Sequence, residues 1–244
     1  MAIDTTYRSQ EPEIMDDFNL EGETLKDALD KIADINRLLG GNSVTLDGVK
    51  KLLKDRPETT GLIRILDVGC GNGDMLRTIA DYARNNNISC ELSGMDANAF
   101  TISHAQQLST NYPEINYRCA DIFKDLNGNQ QYDVILCTLT LHHFKDEDIL
   151  TLLQGFSKHS RVGFVINDLH RSAIAYYLFK ALCFMFRLNY MSREDGLISI
   201  LRGFKKKDLQ AYSKQLKFAN DRIKWKWAFR YQWIVKTYGQ DKHS

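Results

Sequence analysis

The sequence predicts an α/β fold: a mostly parallel, seven-stranded sheet with helices on both faces and an N-terminal helical cap. Three observations carry this. Between residues 61 and 168, short β-rich apolar runs alternate with amphipathic segments, as successive right-handed βαβ units require. A glycine cluster closes the first apolar run. Near the C-terminus, Ile223, Trp225, Trp227, Phe229, Tyr231, Trp233 and Val235 alternate with mostly basic or polar residues, the period of a strand with one buried face.

The elements follow in order. Residues 1–20 read as an arm. Leu25, Leu29, Ile32, Ile35 and Leu39 lie near helical spacing over residues 22–39, and Gly40 and Gly41 stop that helix. A shorter helix is expected at 45–54. Strands are expected at 62–68, 90–95, 115–118, 132–137 and 162–166, with helices at 74–84, 99–110 and 146–156 and a loop at 121–131. Residues 171–188 form a helix that is apolar nearly all round. Such a helix is buried core, the lining of a greasy acceptor pocket, or a lipid contact. A loop is expected over 189–204 and a polar helix over 205–217. The terminal aromatic run is read as a hairpin turning near Ala228, its aromatic side chains facing the core. Residues 1–58 are thus the arm and cap, and 59–244 the core.

Composition narrows the class. The chain has 244 residues, 43 % hydrophobic and 26 % charged, which excludes collagenous, disordered and disulfide-scaffold proteins. With 3 prolines, no proline-rich linker divides it. Five cysteines without a CxxC pair form neither a zinc pattern nor a disulfide framework. Their pattern and the polar, acidic N-terminus, unlike a signal peptide, predict a cytoplasmic protein. The longest apolar stretch, residues 173–186, is interrupted by Lys180 and too short to span a bilayer. A net charge of +1 hides a split: residues 1–168 carry −10 and residues 169–244 carry +11. The basic end fits a solvated strand face, with Lys224, Lys226, Arg230 and Lys236 at polar positions. Nucleic acid or an anionic membrane surface are the other readings.

The chemistry centres on Asp67, Gly69, Cys70, Gly71, Asn72 and Gly73. Glycines after a strand let the backbone turn sharply and approach a ligand, and the next helix offers it an N-terminus. A dinucleotide fingerprint would need glycine at position 74, where Asp74 stands. The DxGxGxG pattern resembles motif I of the class I S-adenosylmethionine-dependent methyltransferases. The likeness continues through about residues 61–168. In that family an acidic residue ends the second strand and holds both ribose hydroxyls. Asp96, followed by Ala97, matches it. Asp121 matches the acceptor for the adenine amino group, with Ile122 and Phe123 beside the ring. The fourth strand runs into Thr138 and then His142 and His143, similar to the small-molecule group that includes ubiquinone and menaquinone biosynthesis. Looser likenesses, at residues 13–39 and 167–172, are to methyltransferases found near polyketide-synthase genes.

The resemblance implies a Rossmann-like core, S-adenosylmethionine as cofactor, S-adenosylhomocysteine as product, and a phenolic, quinone-like or polyketide acceptor. An oxygen or nitrogen acceptor must lose a proton, so a base near neutral pH is wanted. His142, by slight preference, or His143 is the first candidate. Asp168 and His170, after the fifth strand, are the second pair; the rival reading has Asp168 capping the next helix. No metal is expected, because the fourth strand ends in Cys137 and Thr138 without a carboxylate. Tyr176, Tyr190, Arg193 and Arg202 are further polar candidates, and the N-terminal helices are expected to cover the cofactor. An RNA methyltransferase is the alternative, disfavoured because the Asn/Asp-Pro-Pro-Tyr/Phe signature is missing. A non-catalytic cofactor-binding protein is the other. The sequence assigns no oligomeric state.

Overall fold

Strands β1 (Ile63–Val68), β2 (Cys90–Asp96), β3 (Ile115–Cys119), β4 (Tyr132–Thr138), β5 (Ser160–Leu169), β6 (Asp221–Lys226) and β7 (Arg230–Lys236) form one sheet, in the order β3-β2-β1-β4-β5-β7-β6. The structure is a computed structural model and describes residues 3–54, 61–126 and 128–238. The expected boundary between cap and core, at 58/59, lies outside the described residues. Only β7 runs antiparallel, paired with β5 on one side and β6 on the other. The expected hairpin therefore exists, and its second strand is wedged inside the sheet.

Helices α1 (Glu23–Leu38), α2 (Gly41–Lys54), α3 (Asp74–Asn85), α4 (Ala99–Leu108), α5 (Ile122–Asp125), α6 (Asp146–His159), α7 (Ala173–Met185), α8 (Tyr190–Arg202) and α9 (Lys206–Gln215) complete the described fold. One face of the sheet packs Phe164, Ile166 and Trp233 against Leu152 and Phe156 of α6 and Leu209 of α9. The other packs Ile65, Val165 and Ile234 against Leu52 of α2 and Ile79 of α3. Both faces of the inner strands are covered, so β4 and β5 carry unbroken apolar runs over Val134–Cys137 and Phe164–Ile166.

Four sequence expectations give way. Residues 189–204, expected as a loop, contain α8. Its buried face is largely polar, with Ser192, Asp195, Ser199 and Arg202 at helical spacing, so no apolar stripe announces it. The expected loop at 121–131 contains the single turn α5, capped by Asp121, whose carboxylate accepts from Phe123 N at 3.0 Å. Helix α7 is not core: only Ala175 and Cys183 are buried, and Phe184 is 89 % exposed. The aromatic hairpin does not alternate cleanly. Trp225 is exposed because β6 is an edge strand and Trp227 because it lies in the turn beyond it, whereas Arg230 and Gln232 are buried because β7 is internal and α2 covers it. Lys226 pairs with Asp47 at 3.1 Å, so part of the basic end is matched by the acidic half. Among the described residues no helix is long and apolar enough to cross a membrane.

Trp233 ties the two ends of the C-terminal hairpin to the core. It is wholly buried, and its indole N–H donates to Asp221 Oδ2 at 2.8 Å. Trp233→Ala is expected to cost about 3–5 kcal/mol of stability, the usual loss for a truncated core aromatic. Urea unfolding should show a lower midpoint; an unchanged midpoint contradicts this packing.

Candidate active site

The C-terminal ends of the parallel strands converge on one large cavity, of about 1000 Å³. After β1 the chain turns through Gly69 (φ +67°) and Gly73 (φ +79°), conformations that side chains rarely adopt. A Cβ at Gly69 would strike the Thr140 side chain, and one at Gly73 would strike the Tyr117 hydroxyl. Gly73 then starts α3, and Asp74 in its first turn binds the cap: it accepts from Arg37, and from Asn42 Nδ2 at 2.6 Å. Asp30 of α1 likewise accepts from Asn72 Nδ2 at 2.9 Å and lies 2.8 Å from His104 Nε2. The residue that breaks the dinucleotide pattern thus fastens α1 and α2 over the glycine turn.

Two carboxylates lie at this edge, Asp67 buried and Asp96 half-buried. Asp96 accepts from Gly71 N and Asn98 N, each at 3.1 Å. Burial raises its pKa nonetheless. Asp67 Oδ1 has no hydrogen-bond partner, and burial, reinforced by the charge of Asp96, pushes its pKa up to about 8. A carboxylate pair of this kind calls for a cationic ligand.

Beyond β4, a second polar cluster joins the arm to the sheet. His142 Nδ1 lies 2.7 Å from Asp168 Oδ1, and His142 N donates to Asp168 Oδ2 at 3.2 Å. The opposite ring nitrogen, Nε2, is buried without a partner and faces Glu13 Oε1 at 3.6 Å. The neighbouring His143 Nδ1 lies 2.7 Å from Asp16 Oδ1. Asp168 stays acidic despite burial, because His142 and the Leu169 N–H stabilise its charge. Glu13 behaves oppositely: burial outweighs the nearby His143, Ser199 and Arg202, and its pKa rises to about 7. Arg202 of α8 holds the cluster together, donating to Asp16 Oδ2 at 2.6 Å and to the carbonyls of His142 and His143. Asp195 of α8 accepts from Ile14 N and Met15 N, at 2.6 and 3.0 Å.

Of the residues expected at the cofactor, Asp67, Gly69, Cys70, Gly71, Asn72, Asp96, Ala97, Asp121, Ile122, Phe123 and Thr138 all line the cavity. Gly73 does not; it shapes the turn. His142, His143 and His170 line it as well, whereas Asp168 lies behind His142. Asp168 and His170 have separate partners. His170 Nδ1 accepts from Trp225 Nε1 at 3.2 Å, and burial lowers its pKa. Asp168 does not cap α7, whose cap is Ser172. Helix α7 turns Ala175, Leu178, Phe179 and Leu182 toward the cavity. Glu13 and Asp16 were not legible as site residues, because only the tertiary fold brings the arm to β4. Glu13, His142 and His143 form the one group among the described residues with three ligand atoms within metal-binding reach. Arg202 Nη1, 3.6 Å from Glu13 Oε1, already sets a positive charge against that group.

Residues 65–163 match the family model described as a methyltransferase domain. That stretch of the chain is therefore similar to a methyltransferase domain. Solved structures share the fold. The plantazolicin methyltransferase BpumL in complex with SAH is 16 % identical, with a TM-score of 0.63, over 86 % of this chain and 90 % of that one. The plantazolicin methyltransferase BamL, solved with a triazolic desmethylPZN analog and SAH, is 12 % identical, with a TM-score of 0.65, over 87 % and 91 %. The magnesium protoporphyrin IX methyltransferase ChlM of Synechocystis PCC 6803 is 17 % identical, with a TM-score of 0.52, over 81 % and 82 %. No curated protein sequence matches this chain.

The Glu13 carboxyl sets a pH dependence. Its folded pKa of about 7 lies above the model-peptide value of 4.5, so the stability it contributes is complete below pH 4.5 and is lost as pH rises through about 7. Glu13→Gln removes that loss. The melting temperature of the variant, relative to the natural protein, should therefore climb between pH 5 and pH 8; a difference that stays constant with pH contradicts this assignment.

Proposed function

We propose that this methyltransferase moves the methyl group of S-adenosylmethionine to a small aromatic or lipophilic acceptor of phenol, quinone-like or polyketide type, without a metal. One observation carries the reading. A single cavity joins the glycine turn, with the carboxylates of Asp67 and Asp96, to an apolar chamber containing Phe18, Leu178, Phe179, Trp227 and Phe229. About 1000 Å³ is the upper end of the range for small-molecule sites, which gives room for cofactor and acceptor together.

The residues at the glycine turn fit the cofactor. The unpartnered Asp67 oxygen suits a cationic group, and Asp96 is placed at the end of β2, where a carboxylate can accept from vicinal hydroxyls. Asp121, Ile122 and Phe123 would flank the adenine. When bound, S-adenosylmethionine supplies an electrophilic methyl carbon on a charged sulfur. The protein's part is to position the acceptor in line and to take its proton.

His143 is the better-placed base. Its side chain is 26 % exposed and its Nδ1 is held by Asp16, which leaves Nε2 to accept a proton. His142 is only 2 % exposed, with Nε2 sealed under Glu13. Asp168 orients His142, which stacks on His143 with ring centroids 4.3 Å apart. Phe18 of the arm and Leu25, Leu29 and Ile32 of α1 line the chamber, where they would shield the reacting groups from water.

With an acceptor found by screening phenols and β-keto compounds, His143→Ala should lower kcat by roughly 10²–10⁴, the usual contribution of a general base. Affinity for S-adenosylmethionine, measured by calorimetry, should stay the same. Unchanged kcat in His143→Ala would remove it as the base.

A further inference from the structure

The acceptor end of the cavity holds a buried charge that the methyl-transfer scheme does not use. Arg230, the first residue of β7, is 3 % exposed and lines the cavity, yet neither its Nε nor its Nη1 has a hydrogen-bond partner. Burial lowers its pKa, but only to about 10, so the guanidinium remains charged at neutral pH. The nearest anion, Asp168, is committed elsewhere: its oxygens accept from His142 Nδ1, His142 N and Leu169 N. A buried guanidinium with empty donors is costly, and a ligand that fills them recovers that cost.

Its surroundings favour an anion. Helix α2 begins at Gly41, and a Cβ on Gly41 would lie 2.9 Å from Arg230 Cζ. The positive end of a 14-residue helix therefore abuts the guanidinium. Asn36 and Asn42 line the cavity at the same place. Arg230 pairs in register with Leu169, next to the residue that orients His142. Between β1 and β7 lie β4 and β5, three strand spacings or about 14 Å, so Arg230 sits well beyond the glycine turn. The rest of this end is apolar, with Leu178, Phe179, Trp227 and Phe229.

We infer that Arg230 selects the acceptor by binding a carboxylate on it, so that the substrate is a lipophilic or aromatic acid anchored by its anionic end. This rests on the methyl-transfer reading and narrows its substrate class. A planar guanidinium matches a carboxylate with two parallel N–H···O bonds, whereas an ester or a hydrocarbon leaves the donors empty.

Calorimetry on the protein saturated with S-adenosylhomocysteine tests it, with 6-hydroxy-2-naphthoate and its methyl ester as probes. The acid should bind about 10- to 100-fold more tightly than the ester, the usual margin for a charge-assisted bond. Arg230→Met should abolish that preference, and Arg230→Lys should keep part of it, while both variants retain affinity for S-adenosylhomocysteine. Equal binding of acid and ester, no binding of the acid at millimolar concentration, or a preference that survives in Arg230→Met overturns the assignment and leaves the methyltransferase reading standing. If S-adenosylhomocysteine itself does not bind the natural protein, both fall.

Discussion

Two desolvated carboxylates, Asp67 and Asp96, sit side by side at the ends of β1 and β2, and the rest of the site is arranged around that unbalanced charge. The turn through Gly69 and Gly73 brings the Gly71 N–H to Asp96 but leaves one oxygen of Asp67 without a partner. A cation is the natural complement, and burying one requires a cover. The chain supplies it from the N-terminus: Asp74 and Asn72, on the turn itself, reach out to Arg37, Asn42 and Asp30. The glycine turn and the first two helices are therefore joined in one polar network.

The same logic recurs across β4. The arm places Glu13 and Asp16 against His142 and His143, and α8 anchors the arm through Asp195, Ser199 and Arg202. Buried polar clusters of this type are costly unless every member is served, so they fix one geometry strongly. The cluster also divides labour. Asp168, kept ionised by its bonds, orients one imidazole, while Glu13, driven toward neutrality by burial, covers it. The cluster is assembled from the arm, the segments after β4 and β5, and α8.

What the sequence reveals follows from range. The parallel strands, the glycine turn and Asp96 were legible because apolar runs, φ-demanding glycines and a carboxylate at a strand end are local signals. Helix α8 was not, because its buried face carries Ser192, Asp195, Ser199 and Arg202 rather than apolar residues. Helix α7 misled for the converse reason: its apolar side chains serve the cavity and the surface instead of the core. Arg230 looked like a solvated strand residue, since period-two alternation cannot tell an edge strand from one inserted between β5 and β6. Only the tertiary fold turns that arginine inward.

The most direct measurement is calorimetric titration of the purified protein with S-adenosylmethionine at pH 6.5 and at pH 8.5, in buffers of different ionisation enthalpy. Asp67 is held partly protonated in the free protein by its pKa of about 8, so a cationic ligand should displace that proton. The account predicts binding that tightens from the lower to the higher pH, with proton release at pH 6.5. Absence of binding, or binding with neither pH dependence nor proton release, would contradict it.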